Sequence, residues 1–361
     1  MSAEARPDAA LLRLSVGLED AEDLDGLDVG ELALSGRWEP EAVDEGALTL
    51  ARRVDAGGHL DTVVLQVHDD PEDAYDAFEA GEVDWALVPG SAHDEAVEAY
   101  GDDHFAPFHP EVFLGLRVAA PPLDAAPLRT AIAAAIDREA LVAEVYADVA
   151  DPLRTIVPDG VPGHDPDVCG DALACEHDPE GAEDALAEAY PEGDVPTVAI
   201  DFDDSERQTE LAEAVAADLE AVGIPTELRP RSRAEYRAFV ASGEQQLFSL
   251  GWFGGYPSPD AYLAPLLSST ADDNLTGAAS APIDEALAEA RSTDDPEAAG
   301  AAWREAERRA LSVAVVVPLA QFRTQPVLAD RVQDLGHRID GTVDWAAVWV
   351  ADAGTDPDED R

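Results

Sequence analysis

Residues 247–263, LFSLGWFGGYPSPDAYL, decide the fold. Leu247, Phe248 and Leu250 read as a buried strand that runs straight into Gly251, Trp252, Phe253, Gly254, Gly255 and Tyr256. Large aromatic faces therefore stand beside backbone that carries no side chain, and Pro257 and Pro259 stiffen the chain beyond them. Two roles suit such a strand end: a set of core aromatics, or a wall at which a ligand approaches main-chain amides closely.

The preceding residues favour the wall. Between 178 and 253 the pattern alternates helix and strand twice. Asp178 and Pro179 open a helix that runs to Tyr190, and VPTVAIDF follows as a strand. Ser205 and Gln208 form a capping box ahead of Leu211, Val215, Leu219 and Val222, and IPTELRP is the next strand. A second box, Ser232 with Glu235, opens the helix that carries Tyr236, Phe239 and Val240. This is an α/β lobe, and 252–256 falls at the C-terminal end of a strand, where open α/β sheets place their ligand crevice. The candidate ligand-binding residues are Trp252, Phe253, Gly254, Gly255 and Tyr256, with Tyr236 from the preceding helix.

Further upstream, 47–52 and 62–67 have strand character. Asp70 caps and Pro71 starts a helix whose face is Ala74, Ala77 and Phe78 and whose end is Gly81; Val83, Trp85, Leu87 and Val88 resume as a strand. A strand, helix, strand unit implies parallel pairing. Residues 113–118 are another strand, followed by one amphipathic helix carrying Leu128, Ile132, Ile136, Val142 and Val145. Turn residues are too dense over 157–178 for regular structure. Downstream, 282–291 and 296–311 read as helices, VAVVVPLAQF as a buried strand, and the stretch from Leu335 with Trp345 and Trp349 as a short closing element. Residues 1–28 read as a poorly ordered lead-in and 351–361 as an acidic tail.

At 361 residues the chain has room for two lobes. It carries 22 Lys plus Arg against 78 Asp plus Glu, a formal charge of −56, and every one of the 22 is Arg. So acidic a surface excludes nucleic acid and anionic membranes as partners. The acids are dispersed along the chain, which suits faces kept hydrated in strong salt, a halophilic pattern, better than localised cation sites. No apolar run approaches the roughly 18 residues needed to cross a bilayer, so no direct membrane insertion is expected. The N-terminus has no export signal as written.

Signals for catalysis are missing: the sequence has no G-x-S-x-G, no H-E-x-x-H, no phosphate-cradling loop and no cofactor motif. The expectation is a binding protein that is not an enzyme and holds no cofactor. His164, Cys169, Cys175 and His177 are the candidate metal ligands, but H-x4-C-x5-C-x-H matches no zinc-finger spacing, and a short disulfide loop or two free thiols is the better reading. His104 and His109 read as loop histidines.

Several stretches together resemble one family, the extracytoplasmic solute-binding proteins (family 5) of the peptide, oligopeptide and nickel type that serve ABC importers. LDTVVLQVHDDPEDAYDAFEAGEVDWALVP is similar to that family's strand, helix, "AGEVD" strand unit. PLRTAIAAAIDREALVAEVYADVADPLRTIVPDGVPGHDP is similar to its "A-I-D-R" helix with a following "P-x-G-x-P" loop. GWFGGYPSPDAYLAPLLSS is similar to its "G-W-x-x-D-Y-P-D-P" strand and loop, and 281–322 to its late helices and return strand. The likeness keeps the family's order over roughly 29–350.

The resemblance implies a two-lobed periplasmic-binding-protein-like fold of type II, closing on a ligand by hinge motion. Strands 113–118 and 315–322 would cross between lobes, giving a first lobe of 29–118 with 315–350 and a second lobe of 119–314. It further implies a peptide or other small-molecule ligand, membrane subunits of an importer as partners, a monomer, and an extracytoplasmic location. Two departures stand out. Family members carry additional N-terminal segments, which implies an incomplete first lobe here, and a cytoplasmic location if the sequence is complete. The acid that pairs with the ligand's α-ammonium in peptide receptors is matched by Gly255, and the later acid by Ser258. A buried ammonium would lack its counter-charge, so a neutral, sugar-like or blocked ligand stacking on the aromatic residues fits better. The alternatives are a cytoplasmic ligand-sensing domain of a regulator and a truncated, non-functional receptor.

Overall fold

The computed structural model describes residues 11–17, 37–44, 46–68, 70–102, 104–146, 149–336 and 343–351. The chain divides into two compact units, Met1–Ala106 with Thr324–Arg361, and Pro107–Arg323.

In chain order the first unit opens with β1 (Leu11–Gly17), β2 (Trp38–Asp44), β3 (Ala47–Arg52), β4 (Thr62–His68), α1 (Pro71–Glu79), β5 (Trp85–Leu87) and α2 (His93–Tyr100). β1 corrects the expectation of a poorly ordered lead-in over 1–28, at least for 11–17. It pairs in parallel with β4 along its whole length and buries Leu12 and Leu14. The pattern L-x-L at 12–14 is the apolar alternation of a half-buried strand, which the surrounding acids mask. The rest of that lead-in and the tail beyond Ala351 lie outside the described residues. As expected, α1 is capped by Asp70, whose carboxylate accepts the Asp73 N–H at 2.8 Å, with Pro71 at its start.

The second unit holds β6 (Ala106–Leu116), α3 (Ala126–Ala135), α4 (Arg138–Val145), β7 (Ala150–Pro152), α5 (Pro179–Ala189), β8 (Val198–Asp203), α6 (Glu206–Ala221), β9 (Thr226–Arg231), α7 (Arg233–Ser242), β10 (Leu247–Trp252), α8 (Asp260–Leu267), α9 (Ala281–Ser292), α10 (Pro296–Ser312) and β11 (Val316–Thr324). β12 (Pro326–Leu328), β13 (Val332–Gln333) and β14 (Trp349–Val350) return to the first unit. The division falls at 107 and 323, so β6 and nearly all of β11 belong to the second unit, rather than bounding a lobe of 119–314.

The first unit's six-stranded sheet has the order β12-β5-β1-β4-β3-β2. β4 and β5 are each parallel to β1, which lies between them, so the strand, helix, strand unit closes its parallel pairing through a third strand. The second unit's sheet runs β7-β11-β6-β10-β8-β9, with β9, β8 and β10 parallel and β10 antiparallel to β6.

One face of that second sheet is covered by α3, α4, α5 and α6. There Val112, Leu114, Leu116, Ile200 and Leu247 pack against Leu128, Ile132, Leu211 and Leu219. The single helix expected over 128–145 is broken in two. Ile136 takes an extended backbone, and Asp137 caps the new start by accepting the Ala140 N–H at 3.0 Å, while its own N–H donates to Asp218. The break turns Arg138 inward, where its Nε–H donates to the Pro318 carbonyl, and burial lowers its pKa to about 10.

Candidate functional site

Three parallel strands deliver their C-terminal ends to the region where the second unit concentrates exposed aromatic and cationic groups. β8 ends at Asp203, β10 ends at Trp252, and α7 lies between β9 and β10 in the chain. A groove of about 640 Å³ opens here, lined by Asp203 and Gln208 from the β8 side, by Arg233, Tyr236, Arg237 and Val240 of α7, and by Ser249, Leu250 and Gly251 of β10.

α7 stays in place without burying much of itself. The Glu235 carboxylate accepts both the N–H and the hydroxyl of Ser232, at 3.2 and 2.6 Å, and Gly243 ends the helix in a left-handed conformation, φ 76°. Tyr236 is half-buried, and its hydroxyl donates to the Ser249 carbonyl at 2.7 Å, tying helix to strand. Burial, then the nearby Asp201 and Asp203, push that phenol far up, so it remains a donor. Beneath lies the buried Asp201, which pairs with Arg231 at 2.7 Å and accepts the Gln246 N–H; Arg231 in turn stacks on the Phe239 ring. The box expected from Ser205 and Gln208 does not form. Ser205 makes no side-chain cap, and the Gln208 Oε1 is buried without a partner.

The aromatic segment that follows β10 is braced from within. Trp252 is half-buried and its indole N–H donates to the Ala261 carbonyl at 2.8 Å. The Tyr256 hydroxyl donates to Asp260 at 2.9 Å, and Arg291 holds the other oxygen of that carboxylate at 2.6 Å. Phe253 and Tyr256 are 50% and 51% exposed. Gly255 is open, with nothing within 4 Å of where a Cβ would stand, whereas a Cβ at Gly254 would overlap the Tyr262 ring. The bare backbone at Gly254 thus makes room for the Tyr262 ring. Of the six candidate residues, Tyr236 lines the groove, and the other five form the segment that leaves β10 beside it.

Glu111 of β6 stands across from Trp252 in the strand register, on the same face of the sheet. It is 1% exposed, and neither carboxyl oxygen has a partner. Burial, then the charge of Glu307, raises its pKa well above the carboxylate range. Glu307 of α10 is fully buried and accepts the N–H groups of Ile156 and Val157 at 2.6 and 2.9 Å; burial outweighs those bonds and holds its pKa at about 7.

The candidate metal ligands do not assemble. Cys169 and Cys175 form a disulfide, which removes both thiolates. His164 Nδ1 lies 2.8 Å from the Val157 carbonyl, and His177 Nδ1 is 3.4 Å from Asp137. No group of three or more metal-binding side chains occurs among the described residues. His104 belongs to a turn, and the side chain of His109 is outside the described set.

Sequence reasoning missed Arg233, Arg237, Asp203 and Gln208. The first two had a signal: positions 233, 236, 237, 240 and 241 make one helical stripe that carries two arginines and a tyrosine where a core-facing stripe would be apolar.

Known proteins share this architecture. MppA, the periplasmic murein tripeptide binding protein in its unliganded open form, superimposes with a TM-score of 0.77 at 18% identity over 87% of this chain and 63% of that one. HbpA2 from Haemophilus parasuis gives 0.77 at 21% identity over 87% and 64%. In sequence, the dipeptide-binding protein of Escherichia coli (strain K12) is 27% identical over 190 residues, 51% of this chain and 35% of that protein. Heme-binding protein A of Haemophilus influenzae is 25% identical over 291 residues, 76% of this chain and 51% of that protein. The chain therefore spans about half or less of these two curated relatives. The family model for bacterial extracellular solute-binding proteins, family 5 (middle), matches residues 31–274, two thirds of the sequence. The α/β architecture, the strand-end groove and that match lead to one conclusion: the chain belongs to the bacterial extracellular solute-binding proteins of family 5.

Proposed function

We propose that this chain is the solute-capture component of an ATP-driven importer, taking up a peptide or related small solute without chemical change. One observation carries the reading: in a chain that belongs to this family, exposed aromatic residues and a groove occupy the C-terminal ends of the parallel strands β8 and β10. Tyr236 supplies one apolar wall, and Phe253 and Tyr256 supply ring faces beside the open backbone of Gly255. Braced by the Trp252 and Asp260 hydrogen bonds, the segment holds those rings in place before a ligand arrives, which lowers the ordering cost of binding.

The partners that follow are the membrane subunits of an importer, with this chain acting as a monomer. An extracytoplasmic location is supported by the Cys169–Cys175 disulfide, a bond that persists in oxidising compartments. No helix among the described residues is long and apolar enough to cross a membrane. The charge of −56 fits work in strong salt.

A thermal-shift screen of peptides, sugars and divalent ions in high salt tests the reading, because a ligand that binds the native state raises its melting temperature. Calorimetry on the best hit should then show Phe253→Ala binding at least about tenfold more weakly, the equivalent of one lost aromatic stack. Unchanged affinity removes the aromatic segment from the site.

A further inference from the structure

Behind the aromatic segment the second unit buries two acids, Glu111 of β6 and Glu307 of α10, 1% and 0% exposed. Val112, Leu114 and Leu116 face the core under α3–α6, so alternation turns Glu111 to the other face, beside Trp252. Residues directly opposite on paired strands have Cβ atoms about 4.5–5.5 Å apart. Both Glu111 oxygens and Glu307 Oε2 lack a hydrogen-bond partner, and the two side chains are near enough for the charge of Glu307 to act on Glu111.

Each acid reaches the aromatic segment by its own path. Glu111 does so across the β6–β10 register, at Trp252, whose indole N–H holds the Ala261 carbonyl. Glu307 does so through the 156–163 loop: its Oε1 accepts the Ile156 and Val157 N–H groups, and the loop then meets the segment at Gly163, where a Cβ would stand 3.2 Å from Pro259 Cγ. Gln321 of β11 pins the same loop by bonding both the N–H and the carbonyl of Asp159.

The surrounding elements offer the pair no cation. Asp165, which acts on Glu307, has Arg304 at 3.6 Å; Arg308 and Arg309 are taken by Glu305, Arg323 of β11 pairs with Asp151, and Arg291 holds Asp260 of α8. Asp159 accepts the Gly160 N–H, the Tyr262 ring packs at Gly254, and His164 Nδ1 lies 2.8 Å from the Val157 carbonyl. Ionising both acids thus places two like charges in one buried region without compensation.

We propose that Glu111 and Glu307 form a proton-held latch on the aromatic segment. While both carry protons, 252–261 stays packed against its backing; as pH rises and the protons leave, mutual repulsion loosens it. Linkage sets the sign: acids that keep their protons when packed and release them when opened make opening easier with each step up in pH. The consequence for function, capture favoured in mildly acidic surroundings, rests on the capture reading above.

Hydrogen exchange of the whole chain without ligand, read by mass spectrometry from pH 5 to 7 and corrected for the intrinsic rate, tests the latch. The salt concentration is one at which circular dichroism shows the chain folded throughout. In wild type, protection of 156–164 and 252–261 should fall at least about tenfold per pH unit, the effect of one proton released on opening. The double variant Glu111→Gln with Glu307→Gln should hold protection level; if it does not fold, Glu307→Gln alone should give a shallower fall than wild type. Level protection in wild type, or a fall confined to 156–164, overturns the latch. So does a fall that the variants leave as steep, which assigns it to another titrating group such as His164. None of these outcomes touches the capture reading.

Discussion

Gly254 and Gly255 are neighbours that lack a side chain for different reasons. At Gly254 an added methyl would overlap the Tyr262 ring, itself fully buried, so Gly254→Ala should destabilise the fold by roughly 1–3 kcal/mol. Gly255→Ala meets nothing and should stay within about 0.5 kcal/mol of wild type. Urea denaturation of the two variants separates these outcomes, and equal stabilities would contradict the packing. Glu307 makes a second residue-scale prediction. Burial lifts its carboxyl from an ordinary 4.5 to about 7, so between those values the folded state retains a proton that the unfolded chain has released. Its contribution is full below pH 4.5 and is lost as pH rises toward 7. Glu307→Gln keeps an oxygen for the Ile156 and Val157 N–H groups but removes the titration. Its stability relative to wild type should therefore rise with pH by up to about 1.4 kcal/mol per unit across that window. A flat difference between pH 4.5 and 7 would contradict it.

At the scale of elements, what could be read in the sequence follows from how local each cause is. β3, β4, α1, β8, β9 and β10 were legible because alternation, caps and Pro or Gly boundaries act within a few residues. The break between α3 and α4 was not: the apolar spacing of Leu128, Ile132, Ile136, Val142 and Val145 continues through it, and the reason for the turn, Asp137 bonded to Asp218, lies 81 residues away. β1 was hidden for a similar reason, since its strand character is completed by β4 rather than by its neighbours in sequence. The aromatic half of the candidate site was visible as a run of adjacent residues. The groove half was not, because Arg233 and Arg237 join Asp203 and Gln208 only once α7 is placed beside the ends of β8 and β10. The loop over 157–178 carries its own prediction. With Cys169 and Cys175 bridged, alkylation under denaturing conditions without reductant should modify neither cysteine, and after reduction both. Modification of both without reductant would remove the support for an oxidising compartment.

For the whole molecule, charge dominates. At −56 the folded state repels itself, and added salt shortens the reach of that repulsion from about 10 Å at 0.1 M to about 3 Å at 1 M. The melting temperature should rise between 0.1 and 2 M KCl; a flat or falling curve would mean that the acids are locally neutralised rather than spread over solvated faces. The central claim is that solute is captured at the strand ends of the second unit. Hydrogen exchange measured with and without the tripeptide that most raises the melting temperature tests it most directly. Protection is expected at 203–208, along 233–241 and through 249–256, and exchange elsewhere in the second unit should change little. Protection that bypasses all three segments, or a bound tripeptide that protects none of them, would contradict the account.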